Sequence, residues 1–142
     1  MTDDTWNALD SDFAEFPSLR SGGASQSEID LAAQEIGLPF PRDYEEFLRR
    51  YGAAMVGSYP IFGLRQVEAM GTCWSVVQMN EHFKKMNWPG TNDWVIFTND
   101  LGGNPLGFDR RGRVSISDTD FGEISEISTS FEEFLRKKCL KL

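Results

Sequence analysis

The sequence predicts an α+β domain, with N-terminal helices and a C-terminal helix packed on a mostly antiparallel sheet. Three observations predict it. Apolar residues recur at helical spacing up to Met86, short apolar runs broken by Gly and Asp turns follow from Trp94 to Ile127, and helical spacing returns after Ser130. With 142 residues, 40% hydrophobic, 13% aromatic and 25% charged, residues 1–142 are expected to form one domain. A fold of this size buries roughly 70% of its unfolded surface, and the composition excludes disorder and fibrous structure.

Taken in order, Thr5 to Phe16 carries Trp6, Leu9, Phe13 and Phe16 at helical spacing, and Pro17 ends that helix. Ser18 to Ala24, with Gly22 and Gly23, reads as a flexible connector. A second helix opens on a capping box, Ser25 to Glu28, in which each side chain satisfies the other's free backbone N–H. It buries Ile29, Ala32, Ala33 and Ile36 and stops at Gly37. A third helix begins at Pro41, whose fixed φ suits the first helical position. Its stripe is Tyr44, Phe47, Leu48 and Tyr51, and Gly52 closes it. Met55 to Leu64, cut by Gly57, Pro60 and Gly63, fits a strand and turn. Thr72 to Met86 is helical again through Val76, Met79, Asn80 and Phe83, and Pro89-Gly90 ends the segment.

Trp94 to Phe97, Leu106 to Phe108 and Val114 to Ile116 then read as strands, with Asp109-Arg110-Arg111-Gly112 as the hairpin turn between the last two. Glu123 to Ile127 adds a further strand. Ser130 and Glu133 form another capping box for a terminal helix lined by Phe131, Phe134, Leu135 and Cys139. No strand is marked as a sheet edge by its sequence.

Fourteen Lys and Arg against 22 Asp and Glu give a net charge of -8, a field that repels nucleic-acid phosphates and anionic membranes and favours a basic partner. The chain begins Met-Thr-Asp-Asp without the basic start and apolar run of a secretory signal. Reduced thiols in a cytoplasm are the expected reading of Cys73 and Cys139. No apolar run approaches the roughly 18 residues that cross a bilayer.

Candidate chemistry is sparse, and no cofactor or metal is expected. His82, the single histidine, lacks an evident nucleophile partner and reads as structural, at the surface or half-buried. Cys73 and Cys139 lack a CxxC spacing and read as small buried hydrophobes on helical faces. Gly102-Gly103-Asn104-Pro105-Leu106-Gly107 lacks the Lys-Ser/Thr of a phosphate loop and reads as a strand connection. Asp100 and Asp109 read as turn residues rather than an acid–base pair. Trp6 and Trp94 are expected in the core; Trp74 and Trp88 flank a helix, where core is again expected. Asp118, Asp120 and Glu123 form a dense acidic stretch whose register fails as a calcium loop, which leaves a solvated loop or a protein-binding patch.

Ser27-Glu28-Ile29 through Ile36-Gly37, then Leu38-Pro39-Phe40-Pro41-Arg42-Asp43-Tyr44-Glu45-Glu46-Phe47-Leu48 to Tyr51-Gly52, resembles the signature of the SMI1/KNR4 family, or SUKH superfamily. Val95 to Gly103, followed by Gly107-Phe108-Asp109 and Gly112-Arg113-Val114, resembles that family's strand, glycine turn and hairpin. The resemblance is strongest over residues 25–135. Gln34 departs from a frequent Glu, and Tyr51-Gly52-Ala53 departs from a frequent Asn-Gly-Gly.

The resemblance implies an α+β domain that acts by binding proteins and has no catalytic group. Bacterial members are typically immunity proteins that neutralise a polymorphic or contact-dependent toxin, often a nuclease, and fungal members regulate cell-wall synthesis and signalling. A compact single domain is more similar to the bacterial kind. The leading expectation is therefore a cytoplasmic, non-enzymatic immunity protein that binds a basic toxin domain through Asp93, Asp118, Asp120 and Glu123. The alternatives are a cytoplasmic regulatory or scaffold module that binds an endogenous protein, and a hydrolase that uses the acidic loop.

Overall fold

The reciprocal cap that opens the second helix forms as its sequence dictates: Glu28 N donates to Ser25 Oγ at 3.2 Å and Ser25 N donates to Glu28 Oε1 at 3.1 Å. Arg65, by hydrogen bond, and then Ser25 hold the Glu28 carboxyl down at about 2. The computed structural model describes residues 1–118 and 120–142. Its helices are α1 (Asp3–Glu15), α2 (Gln26–Ile36), α3 (Arg42–Tyr51), α4 (Val76–Lys85) and α5 (Phe131–Phe134), the last running into a π-helical turn, Leu135–Cys139.

Six strands follow the helix caps and turns: β1 (Ala54–Val56), β2 (Tyr59–Ile61), β3 (Val95–Asn99), β4 (Pro105–Phe108), β5 (Val114–Asp118) and β6 (Glu123–Ser128). β1 and β2 form an antiparallel pair, and β3-β4-β5-β6 form an antiparallel meander. The predicted turn at Asp109 to Gly112 closes the β4–β5 hairpin. Gly112 takes φ +78, a conformation that L side chains rarely adopt. Asp109 accepts from Arg111 N, Arg113 N and Arg113 Nε.

One border of the meander is closed. The β3–β4 register slips by one residue at Phe97. At that bulge Asn80 of α4 donates to Ile96 O at 2.9 Å and accepts from Ile96 N at 2.9 Å, so its amide stands where a neighbouring strand would. Phe62, just past β2, donates to Phe97 O at 2.8 Å and ties the small sheet to the large one.

The core lies between this border and helices α3 and α5. Phe97 and Phe108 stack at 4.2 Å, and Phe131 meets Phe97, Phe108, Tyr44 and Phe47 edge-on or nearly so at 5.3–5.6 Å. Such pairs contribute roughly 0.5–1.5 kcal/mol each beyond the area they bury. The buried Tyr44 hydroxyl donates to Phe62 O, which satisfies the one polar atom inside the cluster.

Several expectations are corrected. In α1 the buried stripe is Thr5, Leu9 and Phe13, while Trp6 is half-buried and Phe16 exposed. The helix turns its hydroxyl inward because Thr5 donates to Glu132 and accepts from Arg136. Trp6 instead lies under the Arg50 guanidinium, 4.5 Å from the ring centre.

Ser18 to Ala24 is not a free connector. Pro17–Leu19 is a 3₁₀ turn, Arg20 bridges to Ala54, Ser21 N donates to Ala53 O, and Ala24 N donates to Leu48 O. Pro41 precedes α3 rather than starting it.

Cys73 is half-exposed and lies ahead of α4, because the helix starts at Val76, with Ser75 as its N-cap in a Ser75–Gln78 capping box. Trp74, at the same junction, is exposed and not core; Trp88 is half-buried and Trp94 buried. Only half of the Ser130–Glu133 box forms. Ser130 Oγ accepts from Glu133 N, but the Glu133 carboxylate turns back to Thr129 N and Oγ.

Candidate protein-binding surface

Register fixes where the predicted acidic residues go. Asp118 pairs across the hairpin with Glu123, and Asp120 sits in the turn between them, so the structure brings these three together at the β5–β6 tip. Asp118 Oδ1 accepts from Asp120 N at 3.0 Å, a local bond that shapes the turn. None of the three carboxylates is in an ion pair among the described residues.

Asp93 is placed elsewhere. It precedes β3, whose first residue, Val95, pairs with Phe108 next to the β4–β5 turn, at the end of the sheet away from the tip. Its carboxylate lies 3.8 Å from Arg110, both groups largely exposed.

Apolar side chains surround the tip. Phe121, in its turn, is 78% exposed, and Ile124 of β6 is 53% exposed. Leu101 occupies the β3–β4 turn at the same end of the sheet and is 93% exposed. An aromatic ring left in water beside unpaired carboxylates is the composition of an interface anchor, since apolar area and charge are both free to be buried against a partner. Sequence reading did not single out Phe121. Its signal was present in Asp120-Phe121-Gly122, an aromatic inside a turn between two strands, where no core position exists.

Several carboxylates elsewhere are committed to structure. Asp100 accepts from Gly102 N, Asn104 N and Asn104 Nδ2 and so shapes its turn. Asp100 and Asp109 stand at opposite ends of β4 and do not converge. Glu132 Oε2 accepts from Thr2 N, Thr2 Oγ and Thr5 Oγ, each at 2.7 Å, which clasps the start of α1 to α5. Burial opposes ionisation of Glu132, yet these bonds outweigh it and hold its pKa below the usual value. Asp43 accepts from Glu132 N and Tyr44 N, but burial prevails there and pushes its pKa up.

His82 lies against Trp74, ring centres 4.3 Å apart, and edge-on to Phe83, as a packing residue would. Burial pushes the Cys139 thiol up to about 12, which keeps it protonated and unreactive. Among the described residues no three His, Cys, Asp or Glu side chains converge to hold a metal ion. No helix of the described residues is long and apolar enough to cross a membrane.

The arrangement thus offers an exposed tip for contact, while Asp100, Asp109, Asp43 and Glu132 are spent on turns and on joining α1, α3 and α5. No curated protein matches the chain. A family model does: the description SMI1/KNR4 family (SUKH-1) matches residues 23–137, from the α2 cap through both sheets into the π-helical turn, leaving out α1, its 3₁₀ turn and the last two residues of the π-helical turn. The chain belongs to the SMI1/KNR4 (SUKH-1) family.

Proposed function

We propose that this protein is an immunity protein, a cytoplasmic and catalytically inert domain that neutralises a polymorphic or contact-dependent toxin by covering its toxic domain. Family membership is consistent with a binding domain of this type. The observation that carries the reading is the β5–β6 tip, where Asp118, Asp120 and Glu123 stand without cations beside the exposed Phe121. A toxin that cuts nucleic acid needs a basic groove, and a domain of charge -8 is steered to such a groove from a distance. Phe121 then supplies the apolar anchor, and Asp93, at the other end of the sheet, is a secondary contact.

The test is a titration, by calorimetry and stopped flow, with the C-terminal domain of the large protein encoded by the neighbouring gene. Tight binding whose association slows as salt rises is expected, and Asp118→Lys with Asp120→Lys should weaken it. Unchanged affinity in that double variant would remove the tip from the interface. Absence of binding at micromolar concentration would replace the toxin with an endogenous protein as the partner.

A further inference from the structure

We infer that the free border of β6 is a strand-addition site that takes an extended, basic segment of another protein. The inference rests on the immunity reading only for the partner's basic charge. β6 is the last strand of the meander and pairs with β5 alone; among the described residues no backbone hydrogen bond from Glu123 to Ser128 leads anywhere else. A strand with one border unpaired carries a row of N–H and C=O groups that a second strand can satisfy.

Protein edges are usually blunted by Pro, by Lys, by shortness or by a covering element. β6 has six residues, Glu-Ile-Ser-Glu-Ile-Ser, with no Pro, Gly or Lys among them. Residues 123–126 are all exposed, while Ile127 is half-buried and Ser128 buried, so among the described residues the uncovered stretch of this border is 123–126.

The charges choose the occupant. Glu123 and Glu126 lie on the strand, with Asp118 and Asp120 at its open end, and only Glu126 has a cation, Arg113 at 3.3 Å. Two copies joined edge to edge would bring these carboxylates toward one another, which opposes self-pairing. A strand bearing Lys or Arg meets the opposite charge.

Side chains alternate between the two faces of a strand, so Ile124 faces away from Glu123 and Ser125. Ile124 leans over Gly90, where a Cβ would lie 1.9 Å from its Cδ1, and remains 53% exposed. A segment in which cations alternate with β-branched residues therefore sets its cation beside Glu123 and its apolar side chain beside Ile124.

The probes are three synthetic peptides of about eight residues, long enough to span the strand: alternating Lys-Val, alternating Glu-Val, and alternating Lys-Val methylated on every backbone nitrogen, which keeps the charge but has no N–H to donate along a ladder. Each is titrated into the full chain at low salt while amide exchange is followed residue by residue. Lys-Val is expected to slow exchange within residues 123–128 by about fivefold or more, as an amide does when its opening must first break a new bond. Glu-Val and the N-methylated peptide are expected to leave it unchanged. The double variant Glu123→Lys, Glu126→Lys should lose the Lys-Val response and gain one to Glu-Val, with protected β5 amides serving as the check that it is folded.

An equal response to the N-methylated peptide, or protection confined to other residues, would overturn the site. The two proposals fail separately. Toxin-domain binding that leaves β6 amides exchanging as fast as before removes strand addition and keeps the immunity reading. Protection by Lys-Val in a protein that ignores the toxin domain does the reverse.

Discussion

Two groups of carboxylates are put to opposite use in this chain. Around the start of α5, Glu132 accepts three hydrogen bonds and Asp43 accepts two, so that α1, α3 and α5 are held against the aromatic cluster. At the β5–β6 tip, Asp118, Asp120 and Glu123 lie within six residues of sequence and meet no cation. The difference teaches that net charge is a poor guide to where an acidic protein binds. Carboxylates whose bonds are already made stabilise the fold; those left over set the field that a partner feels.

This contrast can be broken most severely at the clasped end. Phe131→Ala removes a fully buried ring from the contacts with Phe97, Phe108, Tyr44 and Phe47, and should cost about 3–5 kcal/mol in denaturant unfolding. Asn80→Ala leaves Ile96 N–H and C=O without their partner in the interior, for a cost of about 2–3 kcal/mol and faster exchange of β3 amides.

Glu132→Gln comes next, with a loss of roughly 1–2 kcal/mol near neutral pH as charge-assisted bonds become neutral ones. Its folded pKa lies below the unfolded value of 4.5. The ionised clasp therefore stabilises the protein above that value and is lost as pH falls through the folded pKa. Asp43, raised from 3.8, runs the other way: its contribution is present in acid and lost as pH rises through its folded pKa. The thermal stability of wild type should thus decline below about pH 4.5, and the Gln variant should show a shallower decline.

The smallest stability effect belongs to the tip. Asp118→Asn with Asp120→Asn and Glu123→Gln should shift stability by no more than about 0.5 kcal/mol. The same triple variant should slow association with a basic partner at low salt. A large loss of stability there would mean that the tip carboxylates are structural after all and would erase the comparison.

Much of the fold was legible because its signals are local. The Ser25–Glu28 box, the stripe Tyr44–Phe47–Leu48–Tyr51 and the Asp109–Gly112 turn each depend on residues within a few positions of one another, and each forms. The Ser75–Gln78 box had the same signature and went unread, which opened the helix too early, at Thr72, and put Cys73 on its face.

What could not be read depends on distant pairings. Asn80 looked like one member of an apolar helical stripe, yet its partner is Ile96, sixteen residues on. Thr5 answers to Glu132 and Arg136 at the far end of the chain. The tip was visible as an acidic stretch. That Asp93 stands apart from it, and that β6 ends the sheet, both follow from strand order, which no periodicity encodes.

The Asn80 amide at Ile96 has one more consequence, for assembly. A filament built by edge-to-edge stacking needs two complementary borders on every subunit, one to receive and one to offer. Here one border is filled by a side chain of the same protein, and Phe62 occupies the position beside it. Among the described residues the meander therefore has one open border, at β6, so copies of this chain have no second open border on it through which to stack in series.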